Sequence, residues 1–118
     1  MKESILQQKS FLLAIEVVNI FNSIVHEQKE YVMSKQLLRS GTSVGANIRE
    51  AQFAYSLKDF VYKLSIARKE CNETLYWLDL LNETKYINLS NKEPLYNLCL
   101  EVLKMITSSI KTAQNKLN

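Results

Sequence analysis

The chain contains very few residues that make turns, with two glycines and one proline among 118 residues. Average proteins contain roughly 7 % glycine and 5 % proline, and sheet-rich folds need turn residues at every strand connection. The scarcity therefore argues against all-β architectures and favours a few long helices. With 47 % hydrophobic residues the chain is too apolar for intrinsic disorder. Its length suits one domain, which we expect to cover residues 1–118.

Groups that serve enzymes and metal sites are also scarce. His26 is the single histidine, and the two cysteines, Cys71 and Cys99, lie far apart in the sequence. The chain has no phosphate-binding glycine loop, dinucleotide motif, zinc spacing or ExxH di-iron motif. We therefore expect no catalytic residue, metal, cofactor or small-molecule substrate. An enzyme with an unrecognised site would need a deep pocket around a group of strongly shifted pKa.

The two cysteines fall within apolar helical patterns, which predicts buried free thiols. A disulfide between neighbouring helices is the alternative. Charge-free stretches fall short of the roughly 18 apolar residues of a membrane span, and the N-terminus lacks a secretory signal. We expect a cytoplasmic protein that does not enter a membrane. The net charge of +3 suits nucleic acid but is equally typical of a protein that is charged only for solubility.

Apolar residues recur with the helical period in four segments, joined by short connections. The expected helices are about Ser4–Gln28, Val32–Phe53, Ser56–Thr84, and a last one that starts within residues 90–94. Short connections make consecutive helices antiparallel neighbours. The sequence therefore predicts an all-α fold, an antiparallel up-down-up-down four-helix bundle.

The first helix carries two neighbouring apolar stripes that together form a face broader than a surface helix needs. One stripe is Phe11, Ala14, Val18, Phe21 and Val25, and the other is Leu13, Val17, Ile20 and Ile24.

The second helix crosses a segment of poor helix formers, residues 40–45, and a loop there is the competing interpretation. Its apolar period continues through the segment without a change of phase, which favours an unbroken helix. The predicted core face is Leu37, Gly41, Val44, Ile48 and Ala51.

Gly41 and Gly45 lie four residues apart and so share one helix face. Each glycine costs about 1 kcal/mol relative to alanine in a helix interior, so some interaction should offset that loss. We expect close helix–helix packing inside the bundle. A ligand or nucleic-acid backbone lying against the helix is the alternative.

Basic residues line the outer side of the same helix. Lys35, Arg39, Thr42 and Arg49 fall within a sector of roughly 80°. Cations beside small residues suit phosphate groups, so we expect this face to bind nucleic acid or a protein partner. A solvated face is the alternative.

The third helix carries a second apolar stripe roughly opposite its core stripe. Its members are Tyr62, Ile66, Tyr76, Trp77 and Leu80. Because tyrosine and tryptophan are enriched in protein interfaces, we expect this stripe to be buried in a homo-oligomer. A helix wedged centrally in the bundle is the alternative.

Residues 34–81 carry a family resemblance. They contain RSGTSVGANIREAQ, then KLSIARKE, then YWL at a specific spacing. This pattern resembles the four-helix bundle proteins encoded by intervening sequences in bacterial 23S ribosomal RNA genes, also labelled S23 ribosomal proteins. The middle two helices match well, and the outer two match by pattern and length.

The resemblance implies a ring, with five subunits, that is related to the accessory variability protein of diversity-generating retroelements. By this similarity, Arg39 and Arg49 would lie on a partner surface. We therefore expect a non-enzymatic homo-oligomeric scaffold that binds RNA or a nucleic-acid-processing protein. A protein–protein adaptor that binds no nucleic acid is the alternative.

Overall fold

The structure, a computed structural model, describes residues 4–91 and 93–117. Within them the chain forms four α-helices and one π-helical turn. The helices are α1 (Ile5–Ser23), α2 (Met33–Ala51), α3 (Leu57–Glu83) and α4 (Glu93–Leu117), and the π-helical turn, Ile24–Gln28, follows α1 directly.

Each helix packs beside the next one along the chain, and α4 returns to pack against α1. The short connections reverse the chain direction each time, so the bundle measures 48 × 23 × 22 Å, about the length of its longest helix. This arrangement confirms the predicted antiparallel four-helix bundle.

Side chains satisfy the free amides where helices begin. Ser4 and Gln7 form a reciprocal capping box at α1, and the Ser56 hydroxyl accepts from the Asp59 amide at 3.1 Å at α3. Lys29 adopts a left-handed conformation (φ 55°), which ends the helical path after the π-helical turn.

A carboxylate fills the same role at α2. Glu30 accepts hydrogen bonds from the amides of Val32 (2.9 Å), Met33 (3.0 Å) and Ser34 (2.8 Å). Burial by itself would raise the pKa of Glu30. The three backbone hydrogen bonds outweigh this effect and lower the pKa from its ordinary value.

The second helix is unbroken through its glycine-containing segment, as the apolar period predicts. The predicted core face is buried in full, and the helix ends at Ala51, two residues before the predicted end at Phe53. Hydroxyl groups in the segment bond back to their own helix, as Ser43 Oγ does to the carbonyl of Arg39 at 2.6 Å. Small polar residues therefore line a continuous helix rather than a loop.

The first helix buries only one of its two predicted stripes. Leu13, Val17, Ile20 and Ile24 are buried. In the stripe that contains Phe11, Phe11 and Val18 are exposed and the other members are half-buried, so part of the broad apolar face lies outside the core. A helix at a corner of a four-helix bundle touches two neighbours, and none of the residues that the structure describes covers the outer side of α1.

Both glycines of α2 face α1. A Cβ placed on Gly41 would lie 2.7 Å from both γ-carbons of Val17, and one on Gly45 would lie 3.3 Å from the carbonyl oxygen of Ser10. Real Cβ atoms essentially never come as close to another atom as the 2.7 Å found at Gly41. The absence of a side chain at Gly41 therefore sets how closely α1 and α2 pack.

We expect Gly41→Ala to destabilise the fold by roughly 1–2 kcal/mol, because overpacking against the stiff Val17 exceeds the gain in helix propensity. Urea unfolding at fixed protein concentration, followed by Trp77 fluorescence, measures the change. Gly45→Ala is the matched control and should cost less. In the double variant with Val17→Ala the penalty of Gly41→Ala should shrink, and strictly additive effects would contradict the contact.

Cys71 and Cys99 join α3 to α4 in the core as free thiols. Their sulfur atoms lie 3.7 Å apart, beyond the roughly 2.05 Å of a disulfide, and the Cys71 thiol also contacts the carbonyl of Cys99 at 3.4 Å. The hydrogen bond with Cys71, together with burial, raises the pKa of the Cys99 thiol far above its ordinary value. The buried free thiols predicted from the sequence are what the structure contains.

In the folded protein neither thiol should react with an aromatic disulfide reagent at pH 8, because the thiolate is the reactive form and both sulfurs are buried. Since the unfolded chain loses the Cys99 proton more readily than the folded chain does, stability should also fall as pH rises above the ordinary thiol pKa of 9.0. Denaturant should release both thiols at the unfolding rate. Rapid reaction of the native protein would contradict this packing.

Candidate functional site

The predicted basic residues of α2 lie on its outer side, but they turn toward different neighbours. Lys35, Arg39 and Arg49 are exposed and Thr42 is half-buried. Arg39 leans toward α3, whereas Arg49 leans toward α1. The four residues lie along one side of α2, but the side chain of Arg39 points toward α3 and that of Arg49 points toward α1.

Arg39 is held by two carboxylates of α3. Its Nη1 donates to Glu70 Oε2 at 2.9 Å, and its Nη2 donates to Glu73. Glu70 and Glu73 are much less exposed than the arginine, with side-chain exposures of 15 % and 30 % against 47 %. The positive charge of Arg39 is therefore balanced within the bundle, and its guanidinium links α2 to α3.

The same network includes the single tryptophan. Trp77 Nε1 donates to Glu73 Oε2 at 3.0 Å, so Glu73 accepts from both α2 and its own helix. The Trp77 ring meets Tyr76 edge-on, with ring centroids 5.1 Å apart. Trp77 is thus positioned by a charge-assisted hydrogen bond, and its fluorescence can report on the α2–α3 contact.

The hydroxyl of Thr42 is committed to its own helix. It donates to the carbonyl of Leu38 at 2.7 Å and lies 3.3 Å from that of Arg39. Because a hydroxyl has one proton, Thr42 retains only acceptor capacity for a partner. It is a poor donor to phosphate in this conformation.

Arg49 borders a groove between α1 and α2. Its guanidinium carbon lies 5.9 Å from the centre of the Phe11 ring, within cation–π range. The groove has a volume of about 420 Å³, and its floor includes the small residues Ala14, Gly45 and Ala46. This open, largely apolar groove can accept a side chain or the edge of another helix.

The predicted interface stripe on α3 does not form one exposed patch. Tyr62 and Tyr76 are exposed, while Ile66, Trp77 and Leu80 are half-buried. Trp77 packs against the core cluster. The two tyrosines are 14 residues apart, or about 21 Å along the helix, with Lys69 midway between them.

The outer face of α1 is a surface that the sequence interpretation missed. Phe11, Leu12, Ile15 and Val18 are exposed within a sector of roughly 120°. That sector contains no charged side chain between residues 8 and 22. A detectable sign was present, since the apolar residues of α1 spread over a face broader than a surface helix needs, with Leu12 and Ile15 extending it further.

By length and composition alone, residues Ile5–Gln28 could cross a membrane, although 28 % of the most apolar window is buried in the bundle. Lys9 and Glu16 interrupt this segment, so no charge-free stretch within it reaches about 18 residues, as expected from the sequence. Core helices of soluble proteins pass the same test, and Lys9 of α1 pairs with Glu101 of α4. This segment combines one core side with one unusually apolar outer side.

The histidine does not form part of a reactive cluster. His26 is exposed in the π-helical turn, and its Nδ1 contacts the carbonyl of Asn22 at 2.7 Å. Across residues 4–91 and 93–117, no three His, Cys, Asp or Glu side chains are grouped so that they could hold a metal ion.

A family model for 23S rRNA-intervening sequence proteins matches this chain over residues 2–108, which span all four helices apart from the end of α4. The chain belongs to the 23S rRNA-intervening sequence protein family. A solved structure from Bacteroides thetaiotaomicron, a protein with unknown function from the S23 ribosomal protein family, is 52 % identical and superposes with a TM-score of 0.89. The match covers 91 % of this chain and 99 % of that one. No curated protein shows significant similarity to the chain.

In this 23S rRNA-intervening sequence protein, Arg39→Ala should destabilise the bundle by about 1 kcal/mol, because two neighbouring carboxylates would lose their shared counterion. Trp77 fluorescence should change at the same time, and raising the salt concentration should reduce the loss of stability.

Lys35→Ala is the matched control for this prediction. Lys35 is exposed and takes part in none of the ion pairs found among the described residues, so its removal should change stability by less than about 0.5 kcal/mol. Equal effects of the two substitutions would show that Arg39 contributes no more than a solvated charge.

Proposed function

We propose that this protein is a non-enzymatic homo-oligomeric scaffold whose subunits pack through the outer face of α1. The family resemblance supports a ring of five subunits. A second copy of the chain is the occupant that best suits the exposed side of α1 and the adjoining groove.

The uncharged outer face of α1 carries this proposal. Phe11, Leu12, Ile15 and Val18 are each more than a third exposed, with relative exposures of 54 %, 46 %, 42 % and 38 %. Contiguous apolar surface of this kind on a folded domain marks an interaction site. Their spacing places them in one ridge along the helix, which is the shape that packs into a groove of another helix pair.

The groove between α1 and α2 is complementary to such a ridge. Gly45 and Ala46 allow a neighbouring helix to approach closely, and Phe11 forms an apolar wall. Arg49 and Glu50 lie at the rim with opposite charges, where they can fix the orientation of a partner. A ridge on one subunit and a groove on the next make a head-to-tail contact, which gives a ring when the rotation between neighbouring subunits closes.

Binding of RNA or of a nucleic-acid-processing protein to the α2 face is the second part of the proposal. Lys35 and Arg49 support it, because neither has a carboxylate partner among the described residues. Arg39 supports it less, since two glutamates already balance its charge. A protein–protein adaptor without nucleic acid is the competing function, and native mass spectrometry with and without nuclease separates the two.

Leu12→Glu combined with Ile15→Lys should convert the oligomer into a folded monomer, because both substitutions place charge in the apolar ridge. Light scattering gives the mass relative to the 13.7 kDa of one chain, and circular dichroism checks the helix content. The two new side chains are three residues apart and of opposite sign, so α1 itself should not be weakened.

Tyr62→Glu combined with Tyr76→Lys is the matched control on α3. It should leave the mass unchanged if the ridge of α1 is the interface. Dissociation by the α3 variant alone would assign the contact to α3 instead. A wild-type chain that is monomeric in solution, or that requires lipid vesicles to remain soluble, would overturn the scaffold.

A further inference from the structure

We propose that the side of the bundle formed by α3 and α4 binds single-stranded nucleic acid. This surface is separate from the basic residues of α2 and from the apolar ridge of α1. We call it the α3–α4 cationic face, and it consists of Lys58, Arg68, Lys69, Lys104 and Lys111.

Helix geometry places these five residues on one side. On α3, Lys69 lies roughly opposite the buried residues Ala67 and Cys71, whereas on α4 Lys104 and Lys111 lie roughly opposite the buried Val102 and Ile106. Arg68 is half-buried and the other four residues are exposed.

Two contacts set the register between α3 and α4. The sulfurs of Cys71 and Cys99 are 3.7 Å apart, and the Tyr96 hydroxyl donates to Asp79 at 3.3 Å. Because the helices are antiparallel, each step up α3 matches one step down α4. The first contact places Lys69 level with Glu101 and the second places it level with Ile106, so Lys104 lies within about one helical turn of Lys69. The cations of the two helices therefore occupy the same side of the bundle.

Most acidic residues of α3 and α4 are paired with other helices or lie near helix ends; Asp79, which accepts from Tyr96 of α4, is the one that lies on the α3–α4 side. Glu70 and Glu73 turn toward α2 and pair with Arg39, while Glu101 turns toward α1 and pairs with Lys9. The remaining acids lie at the two ends of α3 or the start of α4: Asp59, Asp79, Glu83 and Glu93. The middle of the cationic face thus has no acid to balance it.

None of the five cations takes part in an ion pair among the residues that the structure describes. They differ in this respect from Arg39, whose charge is balanced by two glutamates. Unpaired cations on one face attract a polyanion, and binding gains free energy from the counterions that leave the phosphates.

Two tyrosines favour a single strand over a duplex or an acidic protein. Tyr62 and Tyr76 are 61 % and 57 % exposed on α3, seven residues to either side of Lys69. An exposed aromatic ring can stack on an unpaired base, whereas paired bases are already stacked on one another. Alternating aromatic and basic side chains along about 21 Å of helix suit a strand that lies along α3.

Fluorescence anisotropy with a labelled oligouridylate tests this assignment on the full-length chain at low salt. Lys69→Glu combined with Lys104→Glu should weaken binding at least about tenfold and lower the slope of log affinity against log salt by roughly 1.4, which is two phosphate contacts. Tyr62→Ala should weaken binding by about fivefold or more without changing that slope.

Lys29→Glu combined with Lys116→Glu is the matched control, because both lysines are exposed, lie outside the α2 face and the α3–α4 cationic face, and change the net charge by the same amount. A loss equal to that of the α3–α4 variant would show that net charge alone matters and would overturn the assignment. Absence of oligouridylate binding by the wild-type chain, or displacement of the strand by polyglutamate as readily as by unlabelled oligouridylate, would also overturn it.

The mass of every variant should be measured alongside its affinity, since this inference does not require the scaffold. An α1 variant that is monomeric but keeps the wild-type salt dependence of binding would support nucleic-acid binding by the α3–α4 cationic face. It would also place the subunit contact outside that face. Loss of mass together with loss of binding in the Lys69 and Lys104 variant would instead show that the cations serve subunit contacts, and would refute the nucleic-acid site.

Discussion

The close approach of α1 to α2 is the constraint on which the other features of this bundle depend. It exists because Gly41 has no side chain where the γ-carbons of Val17 come to rest, and because Gly45 leaves room for the backbone at Ser10. With α1 held this tightly along one side, its opposite side must face outward. The exposed ridge that includes Phe11 and Ile15 is a consequence of that packing.

Ion pairs between helices distribute the remaining charges. Arg39 of α2 pairs with two glutamates of α3, and Lys9 of α1 pairs with Glu101 of α4. These three carboxylates therefore point toward α2 or α1. Among the residues that the structure describes, the lysines of the α3–α4 cationic face take part in no ion pair. A nearly balanced chain of net charge +3 therefore presents a strongly cationic side around Lys69.

The two proposed surfaces lie on different sides of the molecule. In a ring of four neighbouring helices, the outer side of α1 is diagonally opposite that of α3. Subunits that assemble through α1 would leave Tyr62 and Tyr76 free to meet another molecule. Several copies of one weak cationic face in a closed assembly would bind a long strand with far higher avidity than a single chain.

Periodicity was sufficient to predict the four helices, their order and the core of α2, because a buried stripe has to recur with the helical repeat wherever it packs. It could not tell which stripe of α1 would be covered, since apolar residues such as Leu13 and Phe11 look alike until neighbours are placed around them. The ion pairs of Arg39 could not be predicted from the sequence either, because its carboxylate partners lie more than 30 residues away along the chain. Local pattern thus sets helix type and phase, whereas exposure and charge pairing arise from contacts between segments distant in sequence.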